Sequence, residues 1–220
     1  MRSPATKTRR LNALFSHSDL LLAALLALLA LYLSCNVYPA IRFDRERIEV
    51  WAFPGQIQVS GLYHYQNSSP LPKSLSLGLP FPVDATHGPP TTFSIFESSE
   101  QGTPLREIQP MLHRGDVTFR LWFRPKQEKW VRVDYVQGAL VHSGRYILLT
   151  TREWGHPLDC GDYILHLAQG LVLAGSSYPL SPDFSLRPNV YSFTRRHFYP
   201  ASDWEFFWRQ QEPATAGGQP

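Results

Sequence analysis

Residues 56–66 read QIQVSGLYHYQ, and this stretch decides the fold class. Apolar, aromatic or glycine residues occupy every odd position from Ile57 to Tyr65. The even positions are polar, with Leu62 as the one exception. Because successive side chains of a strand point to opposite faces of its sheet, this alternation predicts a strand that is buried on one side.

The same alternation recurs downstream, and it extends the prediction to the whole domain. VTFRLWFR at 117–124 and WVRVDY at 130–135 repeat the pattern. Further candidate strands lie at 48–53, 74–79, 91–96, 146–151, 163–168 and 189–198. Clusters of Gly, Pro, Asn and Ser separate them, as expected of turns. We therefore expect an all-β fold, an antiparallel Ig-like β-sandwich of about seven to nine strands.

A different pattern precedes the strands. Residues 20–41 read LLLAALLALLALYLSCNVYPAI, an almost uninterrupted apolar run. A helix of about 20 residues crosses the hydrocarbon core of a bilayer, so the run predicts a single transmembrane helix. Residues 1–19 are basic before Asp19 and are expected to stay in the cytoplasm. Residues 42–211 then form an extracytoplasmic sandwich domain, and 212–220 form a disordered tail.

Two alternatives to a membrane anchor stay open at this point. The apolar run could be a cleaved signal peptide, although it is longer than such segments usually are and lacks a small-residue cleavage site. It could also end in a lipidated Cys35. All three readings place the domain on the same side of the membrane.

Composition excludes several classes of function. The net charge of +3 is small and scattered, and no basic stripe with interleaved aromatic residues indicates nucleic-acid binding. Cys35 and Cys160 are the two cysteines, and they fit neither a zinc pattern nor a CxxC redox motif. We expect no cofactor and no metal site.

The densest group of reactive side chains is TTREWGHPLDCGDY at 150–163. Cys160 as a nucleophile and His156 as its base would need to lie within about 3 Å of each other, beside an oxyanion hole. Pro157 restrains the loop, and no glycine-rich turn into a helix follows. We therefore favour a structural corner with Trp154 pointing inward, and keep His156 and Cys160 as a less favoured site.

The C-terminal segment is rich in aromatic residues. We interpret Trp204, Phe206, Phe207 and Trp208 as a surface for a protein partner, because aromatic residues are enriched where proteins bind each other. The alternative is that they pack on the sandwich. Whether 202–211 is a short helix or a final strand stays open, since both patterns fit.

Three short motifs carry a resemblance. YHYQNSS at 63–69, LPFPVD at 79–84 and WGHPL at 154–158, together with the N-terminal run, resemble bacterial membrane-anchored extracytoplasmic β-sandwich proteins of unknown function. The resemblance covers about half of the domain. It implies a fold and a location, the bacterial inner membrane with the domain in the periplasm or outside the cell, and no activity.

These observations favour a non-enzymatic protein that binds or assembles with a protein partner in the membrane or envelope, or serves there as an accessory subunit. One alternative is an extracytoplasmic Cys/His hydrolase or thiol enzyme. Another is an envelope-polymer or carbohydrate binding module that uses Trp122 and Trp130.

Overall fold

The structure is a computed structural model that describes residues 17–36, 41–113, 116–182 and 189–211. The chain divides into two compact units, Met1–Pro39 and Ala40–Pro220. Most of the predicted cytoplasmic segment 1–19 and all of the predicted tail 212–220 lie outside the described residues. Those predictions stay predictions.

The first unit contains one helix, α1 (His17–Asn36). Its described side chains, at positions 21–30, are all Leu or Ala and all exposed. Within the part of the chain that the structure describes, no helix combines the length and apolar character that crossing a membrane requires. The transmembrane helix predicted over 20–41 is therefore not confirmed.

The second unit is built from strands. Their bounds are β1 (Ile41–Phe53), β2 (Gln56–Asn67), β3 (Lys73–Leu79), β4 (His87–Ser98), β5 (Pro104–Glu107), β6 (Met111–His113), β7 (Asp116–Phe123), β8 (Glu128–Ala139), β9 (Ser143–Tyr146), β10 (Leu158–Leu167), β11 (Leu171–Ser176), β12 (Ser181–Pro182), β13 (Val190–Phe198) and β14 (Trp204–Gln210). A 3₁₀ helix, Leu149–Trp154, separates β9 from β10. The predicted all-β class is confirmed.

The strands form one large sheet and two small ones. The large sheet has the order β12-β13-β10-β1-β2-β8-β4-β5, and the small sheets have the orders β11-β14-β9 and β3-β7-β6. All described pairings are antiparallel except that of β1 with β10, which is parallel. This parallel pair and the number of strands depart from the antiparallel sandwich of seven to nine strands, and Ig-like topology is not confirmed.

One hydrophobic core joins the three sheets. It includes Ile48 and Val50 of the large sheet, Phe119 of one small sheet, and Trp204 and Phe206 of the other. All five side chains are at most 1% exposed. Each fully buried residue of this kind contributes about 1.5–3 kcal/mol relative to an exposed one, so the sandwich rests mainly on this shared core.

The alternation at 56–66 is present as predicted. Ile57, Val59 and Tyr65 are buried on the inner face of β2. Leu62, the exception in the pattern, lies on the other face and is nevertheless buried. The loop at Gly102 covers it, because a Cβ built at Gly102 would lie 3.7 Å from Leu62 Cδ2.

The strand predicted at 146–151 is wrong. β9 ends at Tyr146, and residues 149–154 form the 3₁₀ helix. Asp203 Oδ1 accepts hydrogen bonds from the backbone N–H groups of Leu148 (2.9 Å) and Leu149 (3.1 Å). These donors are then engaged by a side chain instead of a neighbouring strand. Gly155, with φ of 70°, ends the helix in the left-handed region that glycine adopts readily.

The aromatic surface predicted at the C-terminus is also corrected. Trp204 and Phe206 are 0% exposed and Trp208 is 3% exposed, so only Phe207, at 46%, faces solvent. The segment is the strand β14, which pairs with β11 on one side and β9 on the other. A central strand of a sheet that packs on the core buries every second side chain, and three of the four aromatic residues share the buried face.

This arrangement predicts a large difference in stability between two neighbouring aromatic positions. Trp204→Ala should lower the free energy of unfolding by about 3–5 kcal/mol, because it opens a cavity among Tyr163, Phe193 and Phe206. Phe207→Ser should change it by less than about 1 kcal/mol. Urea unfolding followed by tryptophan fluorescence and circular dichroism measures both. Equal losses would contradict the described burial of β14.

Candidate functional site

A cavity of about 680 Å³ lies between the large sheet and the small β3-β7-β6 sheet. β1, β2 and β8 form one wall, and β3 and β7 form the other. The 3₁₀ helix lies at the rim through Thr150, Thr151, Glu153 and Trp154. A volume of this size is typical of sites that hold a small molecule.

The cavity exists because the edge strand β3 does not close over the core. Leu75, Leu77 and Leu79 face inward but are only half-buried. Their partners on β7 include Leu121 and Phe119, which are 2% and 1% exposed. The small sheet therefore packs tightly on the core along β7 and leaves open space beneath β3.

One carboxyl group projects into this apolar space. Glu46 of β1 is 4% exposed and lies two residues before Ile48, on the same inward face as Ile48 and Val50. In the sheet it stands beside Tyr63 of β2 and Gly161 of β10. The hydroxyl group of Tyr163 donates a hydrogen bond of 2.5 Å to Glu46 Oε1.

Glycines make room for the tyrosine rings. Tyr163 lies back over Gly161, where an added Cβ would come within 2.6 Å of the hydroxyl oxygen. Tyr63 lies in the same way over Gly61, and its hydroxyl group meets that of Tyr146 at 2.8 Å. The repeated Gly-x-Tyr spacing therefore directs Tyr63 into the lining of the cavity and the hydroxyl group of Tyr163 onto Glu46.

Burial sets the protonation of this group. It raises the pKa of Glu46 from an ordinary 4.5 to about 7, and the hydrogen bond from Tyr163 opposes the rise only in part. Burial, and in most of them the nearby Glu46 charge, also raises the pKa of the surrounding phenols, so they stay neutral near pH 7. They are Tyr63, Tyr65, Tyr135, Tyr146 and Tyr163.

Aromatic rings form much of the wall. The ring centroids of Phe43 and Tyr65 lie 5.2 Å apart, and Trp154 lies 5.5 Å from Phe43 and 5.7 Å from Tyr65. Phe81 packs edge-on against Tyr135 at 5.1 Å. Trp154 therefore points inward, as we expected for the corner at 150–163, and it forms part of the cavity wall.

The structure does not bring His156 and Cys160 together as a reactive pair. His156 Nδ1 lies 3.0 Å from the carbonyl oxygen of Pro157. Cys160 is a free thiol on β10 between Arg45 and Arg196, and burial, followed by the charge of Asp162, raises its thiol pKa. No hydrogen bond joins the two side chains in the described domain. A raised pKa leaves less of the reactive thiolate at neutral pH.

A buried His–Asp pair lies on the other face of the large sheet. His64 Nδ1 lies 2.6 Å from Asp44 Oδ1, and the His64 ring packs on Trp130 at 4.6 Å. Trp130 is thus partly used in packing, whereas Trp122 is 63% exposed. Among the described residues, no three His, Cys, Asp or Glu side chains are grouped as metal ligands.

A second pair lies at the start of β4. His87 Nδ1 lies 3.0 Å from Asp84 Oδ1, and His87 Nε2 lies 3.5 Å from Ser143 Oγ. This order of side chains resembles a nucleophilic relay, but Ser143 is 4% exposed and His87 is 6% exposed. Neither side chain lines the cavity described above, so we interpret the row as structural.

Sequence reasoning missed the site at Glu46, although two signals were present. Glu46 has the same parity as Ile48, Val50 and Ala52, so an acidic residue stands at an inward position of β1. Gly-x-Tyr occurs at 61–63 and again at 161–163. Neither signal shows alone that β1 pairs with both β2 and β10, which is what brings the two tyrosines beside the carboxyl group.

The raised pKa of Glu46 predicts a specific pH dependence of stability. A carboxyl group whose pKa is raised in the folded state binds its proton more tightly there, so folding is favoured at low pH. As pH rises from about 4.5 to about 7, the free energy of unfolding should fall relative to Glu46→Gln by about 3 kcal/mol. Urea unfolding at several pH values measures the difference.

Glu49→Gln is the matched control on the same strand. Glu49 lies on the opposite face of β1, and its contact with His166 lowers its pKa. The free energy of unfolding of wild type should therefore rise relative to that of Glu49→Gln as pH rises to the ordinary carboxyl range. This change is opposite in direction to the one expected for Glu46→Gln. A flat difference for Glu46→Gln between pH values of about 4.5 and 7 would show that its carboxyl group is not buried as described.

No protein-family profile matches the chain, and no curated protein matches its sequence. A solved structure from Legionella pneumophila, described as a "putative nutrient binding protein", is 16% identical with a TM-score of 0.56. The match covers 77% of this chain and 67% of that one. An M1 zinc metallopeptidase from Deinococcus radiodurans is 9% identical with a TM-score of 0.43, and the chain spans 43% of it. The first likeness indicates a shared fold.

Proposed function

We propose that this chain is a non-catalytic binding protein whose β-sandwich domain holds a small ligand in the inter-sheet cavity. The observation that carries the proposal is the cavity itself, an apolar space of about 680 Å³ with one buried carboxyl group and several phenol groups at its floor. Pockets that bind small molecules combine apolar walls with a few polar groups that orient the ligand.

The polar groups are fixed in position, which favours binding. The hydroxyl group of Tyr163 donates a hydrogen bond to Glu46 Oε1. The hydroxyl groups of Tyr63 and Tyr146 are hydrogen-bonded to each other. A site whose polar groups are already ordered loses little conformational entropy when the ligand enters. The half-buried Leu75, Leu77 and Leu79 provide apolar surface that a ligand would cover.

The proposal includes a tether and a protein partner. The apolar run at 20–41 and the basic residues before it favour a single anchor in a bacterial inner membrane, with the domain in the periplasm or outside the cell. A tether raises the local concentration of the domain near a membrane partner. Phe207, at 46% exposure, is the member of the aromatic group that remains available to such a partner.

Filling the cavity tests the binding function. Leu77→Trp places a larger side chain into the cavity, whereas Ser74→Trp places the same ring on the outward face of β3. We expect 4-fluorobenzyl alcohol or 4-fluorobenzylamine to give saturable fluorine-19 NMR shifts with the full-length chain in mild detergent. The affinity for the probe should be unchanged in Ser74→Trp and should fall at least about tenfold in Leu77→Trp.

The comparison between the two variants cancels partitioning of the probes into micelles. Circular dichroism checks that both variants fold. If Leu77→Trp does not fold, Leu77→Phe provides a smaller change at the same position. No saturable shift with either probe, or equal shifts in the two tryptophan variants, would overturn the proposed function.

A further inference from the structure

The cavity carries negative charge only. Glu46 lies at its floor and Glu153 at its rim, and among the described residues that line it there is no Lys, Arg or His. One acidic residue buried between apolar walls, with a second at the rim, focuses a negative potential into this space. Such a space favours cations and disfavours anions.

Glu46 also lacks a cationic partner among the residues that the structure describes. The structure buries two carboxyl groups in the described domain, Asp44 and Glu46. Asp44 is paired with His64 at 2.6 Å, whereas Glu46 accepts a hydrogen bond from the neutral hydroxyl group of Tyr163. A buried carboxylate is costly unless a positive charge accompanies it, so the site has an electrostatic deficit that a ligand can fill.

The wall around the carboxyl group suits a cation with hydrocarbon attached. Phe43, Tyr65 and Trp154 form a cluster with centroids 5.2–5.7 Å apart, and Tyr63 lies 6.1 Å from Phe43. Aromatic faces attract ammonium groups, and the attraction is stronger where the contact is desolvated. Aromatic walls that surround one acidic group are the usual chemistry for recognising substituted ammonium ions.

We propose that the cavity binds a small organic cation, with its protonated amine or quaternary ammonium group against Glu46 and its hydrocarbon part against the aromatic wall. This inference rests on the proposed binding function and names the class of ligand. The ligand enters at the side of β3 and the 3₁₀ helix, where Glu153 stands at the rim.

Binding of a cation is coupled to loss of a proton from Glu46. Five tyrosines and Glu153 are the ionisable groups that line the cavity around Glu46 or hydrogen-bond to it, and burial keeps the tyrosines neutral. They are Tyr63 and Tyr65 of β2, Tyr135 of β8, Tyr146 of β9 and Tyr163 of β10. Because the free carboxyl group is protonated at low pH, affinity for a cation should rise about tenfold from about pH 6 to about pH 8.

The test compares probes of matched shape. Fluorine-19 NMR titrations of the full-length chain use 4-fluorobenzylamine and 4-fluorobenzyltrimethylammonium as cations and 4-fluorobenzyl alcohol as the neutral probe. We expect at least one cation to bind about tenfold more tightly than the alcohol, with affinity rising between about pH 6 and about pH 8. Glu46→Gln should abolish both the preference and the rise.

Two further variants keep the test decisive. Glu49→Gln removes a carboxylate from the opposite face of β1 and should leave the preference for cations unchanged. Tyr163→Phe retains the carboxyl group of Glu46 but removes the hydrogen bond that lowers its pKa, so the preference for cations should persist and its rise should move to higher pH.

The outcomes separate the two proposals. If cation and alcohol bind equally, or if Glu46→Gln keeps the preference, the cavity binds ligands but not as a cation site, and only this inference fails. If no probe binds, or if Leu77→Trp leaves binding of every probe unchanged, the proposed function fails with it.

Discussion

Tyr163 and Glu46 meet on the inner face of the large sheet, and their hydrogen bond fixes the position of the buried carboxyl group at the cavity. A carboxyl group at an inward position needs a polar partner, since burial without one costs several kcal/mol. The partner reaches it only because Gly161 leaves space beneath the phenol ring. That reach depends in turn on the parallel pairing of β1 with β10, which sets Gly161 beside Glu46.

The cavity is a compromise with stability. β7 buries its inward side chains almost completely, whereas Leu75, Leu77 and Leu79 of β3 are only partly buried. Empty apolar space forfeits dispersion contacts, and a buried acidic group resists ionisation near neutral pH. The compact core around Trp204 and Phe206 offsets these losses elsewhere in the domain. Such local departures from good packing are expected where a protein binds something.

Period-two alternation was enough to predict the all-β class and the inward faces of β2, β7 and β8. A strand that is buried on one side places apolar residues at every second position of the sequence. The 3₁₀ helix was missed because Asp203, more than 50 residues away, accepts the hydrogen bonds of the backbone N–H groups at its start. Trp204 was wrongly predicted to lie on a binding surface, because alternation alone does not show that β14 has neighbours on both sides. The site at Glu46 needs strand order, which depends on long-range pairing.

The most direct test of the buried carboxyl group is the ionisation of Glu46 itself. Carbon-13 NMR of the glutamate carboxyl groups follows each titration, and the resonance that disappears in Glu46→Gln identifies this residue. We predict a midpoint near 7 for that resonance, well above the ordinary 4.5. A midpoint near 4.5 would mean that water solvates the carboxyl group freely, and the burial of Glu46 described here would be contradicted.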